Sequence, residues 1–379
     1  MLVEYNIAMP CVHYLSSGIT GRLIPMPWFS AAMIVVILTA ILELGVVQSS
    51  TVVGYYSHSC PAAEKIVSQV VAEQFATRPL VAAGILRLYF HDCFVEGCDG
   101  SILLDASPDG TPPEKRSLAN NNTATGFELV DAAKRRIEAV CPGTVSCADI
   151  LALAARDSVA ISGGPRWEEP TGRYDGRVSL ASNADGSIPG PSFNLTRLIQ
   201  SFANKTLDSR DLVTLSGGHT IGRSHCANFQ IRLYNFSGTG LPDPALNPAY
   251  AAALRRICPN TSPARRATLS LDRGSEIPFD NSYFVQLLAG NGLLRSDEEL
   301  LLDGSMRGLI SAFAANQRLF FREFAKAMVK LGGIGVKDSI QGEIRLHCRR
   351  VNRRNSGSSP RVPTPPAPIM RSRAPPPPY

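Results

Sequence analysis

Residues 87 to 101 read Arg87-Leu-Tyr-Phe-His-Asp-Cys-Phe-Val-Glu-Gly-Cys-Asp-Gly-Ser101. A cation, a base, two thiols, carboxylates and a hydroxyl fall within fifteen positions, a mixture that few purely structural segments need. Leu80, Ala83, Leu86 and Phe90 recur at steps of three and four, which predicts an amphipathic helix carrying Arg87 to His91. Residues four apart share a helix face, so Arg87 and His91 stand together. A fixed positive charge beside a proton acceptor suits chemistry in which one substrate oxygen loses a proton while its neighbour gains negative charge. Past His91, Asp92, Asp99 and Ser101 supply oxygen atoms, Gly97 permits a sharp turn, and Cys93 with Cys98 would clip the loop, together a cage for a hard cation. The same letters also fit part of a zinc site, or a histidine satisfied structurally.

The chain is long enough for more than one average domain or for a single large one with appended ends, and 44% hydrophobic residues suffice for a sizeable core. Its net charge of +6 is unevenly spread. Seven arginines and no acid lie from Arg349 onward, while residues 1–50 carry only Arg22, Glu4 and Glu43, so residues 51–348 hold equal numbers of bases and acids. A neutral body argues against a nucleic-acid surface, because phosphate binding needs a basic face on the folded part. Of nine cysteines, Cys11 precedes an apolar segment and eight follow it, dispersed and without a Cys-x-x-Cys pair. An even, scattered set fits four disulfides better than zinc or redox motifs. Five Asn-x-Ser/Thr sites, at Asn121, Asn194, Asn204, Asn235 and Asn260, point to the same secretory route.

Ala31 to Val47 is the apolar segment, seventeen residues interrupted by Thr39, Glu43 and Gly45. It reads as the core of a signal peptide, being short for a bilayer span, with an uncleaved anchor as the alternative. The expected organisation is a signal region over 1–47 whose long first part suggests a start at Met26 or Met33, a globular domain over 48–352, and a Pro/Arg-rich tail over 353–379 unable to bury enough apolar surface to fold. Helical spacing recurs over 62–75, 127–140 and 147–160, whereas 108–122, 163–190 and 237–248 read as loops. Asp208 caps a helix through Leu212, Val213 and Leu215, and Ser216-Gly217-Gly218 brings out His219, a candidate axial ligand, at its end. Asp272, Ser275 and Asp280, with Thr220, make a second candidate hard-cation loop.

Taken in order, Arg87 to Asp99, Val145-Ser-Cys-Ala-Asp149, Asp211 to Gly222, Phe279-Asp-Asn281 and Gly292-Leu-Leu-Arg-Ser-Asp297 closely resemble the secretory (class III) plant haem peroxidases, over roughly Tyr55 to Asn352. The resemblance implies a mostly α fold of two helical subdomains sandwiching one haem b. His219 would be the proximal iron ligand, with Asp297 accepting its other ring N–H. His91 and Arg87 would face the distal side, His91 oriented by Asn120. It further implies reduction of hydrogen peroxide to water with one-electron oxidation of phenolic donors, as in lignin, suberin and cell-wall phenolic oxidation or the response to oxidative stress. Pro189 and Phe90 would lie by the donor edge, and Thr123 and His225 near the haem propionates. Two calcium ions are implied. The distal one would use Asp92, Val95, Gly97, Asp99 and Ser101 with Glu114 in support, and the proximal one Thr220, Asp272, Ser275, Pro278 and Asp280. The implied disulfides are Cys60–Cys141, Cys93–Cys98, Cys147–Cys348 and Cys226–Cys258.

By the same resemblance the chain would act as a monomer, secreted to the wall or sent to the vacuole; separately, the positive charge of its tail would favour acidic wall polysaccharide. A wall-binding protein that keeps the fold only as scaffold is the alternative; a scaffold has no physical need for Arg87, His91, Asn120, His219 and Asp297 together. Some positions depart from the family pattern. Thr125 and Tyr174 replace arginines, Gly84 and Leu80 stand where polar groups approach the propionates, and Leu271 stands where ascorbate-type relatives carry Trp.

Overall fold

A computed structural model describes residues 51–107 and 109–353. The expected signal region, with Cys11 and the alternative starts, and nearly all of the tail lie outside the described residues. Among the described residues there are thirteen α-helices and one two-stranded sheet. No helix among them is long and apolar enough to cross a membrane.

The first half is built on α1 (Ala63–Thr77), α2 (Val81–Val95), α3 (Phe127–Glu138) and α4 (Cys147–Ile161). Every residue of α4 from Cys147 to Val159 is buried, and α1, α2 and α3 pack around it. Polar groups fix its start. The Ser146 hydroxyl accepts from Asp149 N at 3.1 Å, and the buried Asp175 carboxylate accepts from Cys147 N at 3.1 Å and Ala148 N at 2.8 Å. Asp149 in turn meets Arg173 at 2.8 Å, and Arg173 meets Glu169 at 2.8 Å, all fully buried, so each charge has its partner.

The second half contains α5 (Ala181–Ser187), α6 (Leu195–Ala203), α7 (Ser209–Ser216), α8 (Gln230–Tyr234), α9 (Pro248–Ile257), α10 (Ser282–Leu288), α11 (Arg295–Glu298), α12 (Gly304–Ala315) and α13 (Gln317–Gly332). Phe279, Phe284, Phe313, Phe320 and Phe324 form an aromatic cluster where α10, α12 and α13 meet. The sheet pairs β1 (Arg223–His225) with β2 (Thr268–Ser270) antiparallel, Arg223 opposite Ser270. A smaller core of Phe229, Leu233, Tyr250, Leu254, Leu293 and Leu294 surrounds Cys226 and Cys258.

The predicted helices are present within two residues at each end. Two corrections concern loops. Residues 163–190 contain α5, whose turn-like composition is overridden by packing on α2 and burial of Ala184, and Asp92 to Val95 form the last turn of α2 rather than a loop. All four disulfides implied by the resemblance are present, which removes the zinc reading of Cys93 and Cys98. The longest, Cys147–Cys348, closes 201 residues and ties the C-terminal end of the described chain to α4. Links of this kind are worth roughly 2–5 kcal/mol each in secreted domains. All five Asn-x-Ser/Thr asparagines are exposed.

Candidate active site

Helix α2 carries Arg87 and His91 four residues apart. His91 is buried, its Nδ1 2.6 Å from Asn120 Oδ1, and Asn120 Nδ2 donates to the Glu114 carbonyl at 3.0 Å. That second bond fixes the amide orientation. An amide oxygen only accepts, so the proton sits on Nδ1 and Nε2 is the free base. Burial, then the Arg87 charge, hold His91 well below the usual histidine range against the opposing pull of Asn120. The imidazole is therefore neutral near pH 7. Arg87 Nη2 donates to Ala119 O at 2.7 Å and to Thr123 Oγ1 at 3.3 Å; burial lowers its pKa to about 10, which leaves it a cation.

On the other side, α7 begins with a reciprocal cap. Asp208 accepts from Asp211 N and Asp211 from Asp208 N, each at 2.9 Å. The helix runs into a 3₁₀ turn over Gly217–Thr220 that presents His219. Gly217 has no room for a side chain, since a Cβ there would lie 2.6 Å from the Phe320 ring. His219 Nδ1 is 2.7 Å from Asp297 Oδ1, and the buried Asp297 also accepts from Leu294 N at 3.1 Å through Oδ2 and from Tyr283 Oη at 3.1 Å through Oδ1. Burial pushes His219 down, but the Asp297 charge and hydrogen bond outweigh it and its pKa ends raised. Burial, then the Asp297 charge, push Tyr283 well above the usual tyrosine range, so its hydroxyl is a donor.

The two histidines lie near one another in the fold. The turn bearing His219 lies against α2, for a Cβ on Gly222 would be 2.9 Å from Ala83 Cβ and one on Gly218 3.5 Å from Leu86. The Arg87 charge is felt by both imidazoles. Though deep in the fold, His219 keeps 37% of its side-chain surface accessible, so it opens onto an internal space. With both Nδ1 atoms engaged, each ring keeps its Nε2 for other chemistry. This donor set fits a haem with one protein ligand on one face and an acid–base group on the other.

The remaining predicted residues are placed as follows. Thr123 Oγ1 donates to Ala119 O at 2.9 Å as well as meeting Arg87, and His225 lies half-buried on β1. Phe90 is half-buried, its ring 5.9 Å from that of His91. Pro189 is half-buried, and the segment after it is tied to the start of α11 by Ser296 N donating to Pro191 O at 3.1 Å. The departures at Gly84 and Thr125 prove to be coupled, since a Cβ at Gly84 would lie 2.4 Å from Thr125 Oγ1. Leu271 is half-buried with its N–H on Gly222 O at 3.0 Å.

Both candidate cation loops contain buried oxygen atoms that accept no hydrogen bond. In the distal loop these are Ser101 Oγ and both carboxylate oxygens of Glu114, while Asp99 Oδ2 pairs with Lys337 Nζ at 3.2 Å. Asp92 Oδ2 accepts from Gly100 N at 2.8 Å; burial, then Asp99, push its pKa well up. The backbone carbonyls of Val95 and Gly97 border the same loop, with Gly97 at φ +101° and too close to Gly335 O for any side chain. In the proximal loop the unpartnered atoms are Asp272 Oδ1 and Ser275 Oγ. Thr220 Oγ1 lies 3.1 Å from Asp280 Oδ1 and 3.4 Å from Asp272 Oδ2, Pro278 is exposed just ahead of Asp280, and burial raises Asp272 to about 6. No group of three or more His, Cys, Asp or Glu gathers as a metal cluster among the described residues. Each loop instead pairs two carboxylates with hydroxyl and carbonyl oxygens, a hard-cation donor set.

Sequence reasoning missed three side chains here. Tyr283 reaches Asp297; Ser282 bridges Asp272 and Asp280; buried Arg232 donates to the carbonyls of Gly292, Leu293 and Leu294 and so holds the segment that supplies Leu294 N to Asp297. Only a helix phase for 282–288, which places Tyr283 inward, would have flagged the first.

A protein-family model described as Peroxidase matches residues 67–316. Peroxidase 5 of Vitis vinifera is 47% identical over 325 residues, covering 86% of this chain and 98% of that protein. Peroxidase 72 of Arabidopsis thaliana is 49% identical over 300 residues, covering 79% and 88%, and Peroxidase 66 of the same plant 48% over 305, covering 79% and 91%. These identities, carried on a helical fold with four disulfides, put the chain in the peroxidase family, among the secretory (class III) plant peroxidases.

Proposed function

We propose that one haem b binds in the cleft with His219 as its only protein ligand, and that His91 and Arg87 carry out the peroxide step. The observation that carries this reading is that each histidine is pinned through Nδ1, His91 by Asn120 and His219 by Asp297, which keeps each Nε2 for chemistry. The chain is a peroxidase; its family uses haem and calcium, takes hydrogen peroxide and phenolic donors, and is generally secreted. That membership disfavours the scaffold alternative. When bound, haem supplies the redox chemistry, taking two oxidising equivalents from one hydrogen peroxide and handing them to two donors one at a time.

His91 Nε2 takes a proton from one peroxide oxygen and delivers it to the other, which leaves as water. Arg87 stabilises the negative charge on the leaving oxygen in a site from which bulk solvent is largely excluded. Asn120 keeps Nε2 unprotonated, and Asp297 strengthens His219 as a donor to iron. Phenolic donors give up single electrons near Phe90 and Pro189, and Thr123 and His225 face the propionate side. The enzyme would act as a monomer. An absorption band in the Soret region, together with peroxide-dependent oxidation of a small phenol by the purified protein, tests the reading; their absence sinks it.

Two calcium ions would satisfy the unpartnered oxygens, one at Asp92, Val95, Gly97, Asp99 and Ser101 with Glu114 in support, the other at Thr220, Asp272, Ser275, Pro278 and Asp280. Metal analysis should return two per chain. Removal of the distal ion leaves Asp92, Asp99 and Glu114 repelling one another beside the carbonyl that holds Asn120. Chelation should therefore slow the peroxide step before haem is lost, and a metal-free sample reacting at the original rate contradicts the distal assignment.

The basic segment from Arg349 and the exposed asparagines support delivery to the wall or vacuole. Its arginines would tether the enzyme to acidic polysaccharide, an attraction that salt screens. Deleting 353–379 should reduce salt-sensitive binding to polygalacturonate and leave turnover of a small phenol unchanged; equal binding by the two forms refutes the tether.

A further inference from the structure

We infer that Tyr283 is a positioning residue that sets how strongly Asp297 acts on His219. Its hydroxyl donates at 3.1 Å to Oδ1, the same oxygen that takes the His219 Nδ1–H at 2.7 Å. The inference rests on His219 being the iron ligand.

Three donors share this one buried carboxylate, because Oδ2 is occupied by Leu294 N at 3.1 Å. Each hydrogen bond to the charged form draws on the same negative charge, so a second donor on Oδ1 weakens the pull on the histidine proton. The geometry holds Tyr283 to that task. It is 3% exposed, its ring meets the His219 ring edge-on at 6.0 Å and 84°, and it packs on Phe284 at 5.0 Å. The start of α10 is anchored by Asn281 Nδ2 donating to Phe313 O at 2.9 Å and Ala314 O at 2.8 Å. The ring is thereby held with its hydroxyl on Asp297. Without it, Asp297 draws the Nδ1 proton further, His219 gains imidazolate character, and the more electron-rich ligand favours the ferric over the ferrous iron.

The test uses the haem-loaded full chain. Tyr283→Phe keeps the ring and removes the hydroxyl. The ferric/ferrous midpoint should move negative, on the order of a tenfold change in that one-electron equilibrium, or about 59 mV. The iron–histidine stretch of the ferrous protein should rise in frequency. Placing 3-fluorotyrosine at position 283, a stronger donor of nearly the same size, should move both readings the other way. If both variants keep the parent potential and the parent stretch, Tyr283 is only a packing residue and the inference falls, whatever happens to the melting temperature. An iron–histidine band that persists in His219→Ala overturns the ligand reading itself and takes this inference with it.

Discussion

His91→Ala retains haem and reacts with hydrogen peroxide more slowly by on the order of 10² to 10⁴, the range that general acid–base catalysis supplies. The loss is kinetic because, in the proposed site, His91 would carry a proton and hold no iron. It makes a single hydrogen bond of 2.6 Å to Asn120, and its neutral Nε2 is the group that moves the proton. Arg87→Ala should slow the same step less. It removes the stabilising charge but leaves the shuttle, although the contacts to Ala119 O and Thr123 on either side of Asn120 are lost as well. Stopped-flow mixing of each haem-loaded variant with peroxide gives the two rate constants. A His91→Ala protein as fast as the parent removes the acid–base role and the mechanism with it.

His219→Ala is a different lesion. If His219 holds the iron as proposed, the chain would then offer it no proximal ligand, and Asp297 keeps a buried carboxylate facing Tyr283 and Leu294 N. Haem affinity should fall and the Soret spectrum change, while peroxide reactivity is lost along with the bound haem. Added imidazole should restore part of both, since the space left by the side chain adjoins an accessible cleft. A variant with unchanged spectrum and haem content excludes His219 as the ligand. The two substitutions thus separate a proton carrier from a metal ligand by readouts that do not overlap.

Much of this was legible along the chain because the chemistry is carried by short local patterns. The i, i+4 spacing of Arg87 and His91 on one helix face, the cap at Asp208 and the glycines before His219 depend only on neighbouring residues, and all three appear as expected. Residues 181–187 did not yield to the same approach. Ala-Ser-Asn-Ala-Asp-Gly-Ser has turn composition, and only packing against α2 makes it helical. The departures at positions 84 and 125 likewise looked independent until the fold set Gly84 against the Thr125 hydroxyl.

By itself the sequence determined the helical character of the chain, the local geometry around His91 and His219, and the oxygen-rich loops that follow them. The tertiary structure alone decided the long-range partners. The hydroxyl of Tyr283 reaches Asp297 from a separate helix, and Arg232 secures residues 292–294 from sixty positions away. The physical reason is that a hydrogen-bond partner is chosen by distance in space. Sequence periodicity tells which face a residue occupies, and only the packing of the helices tells what that face meets.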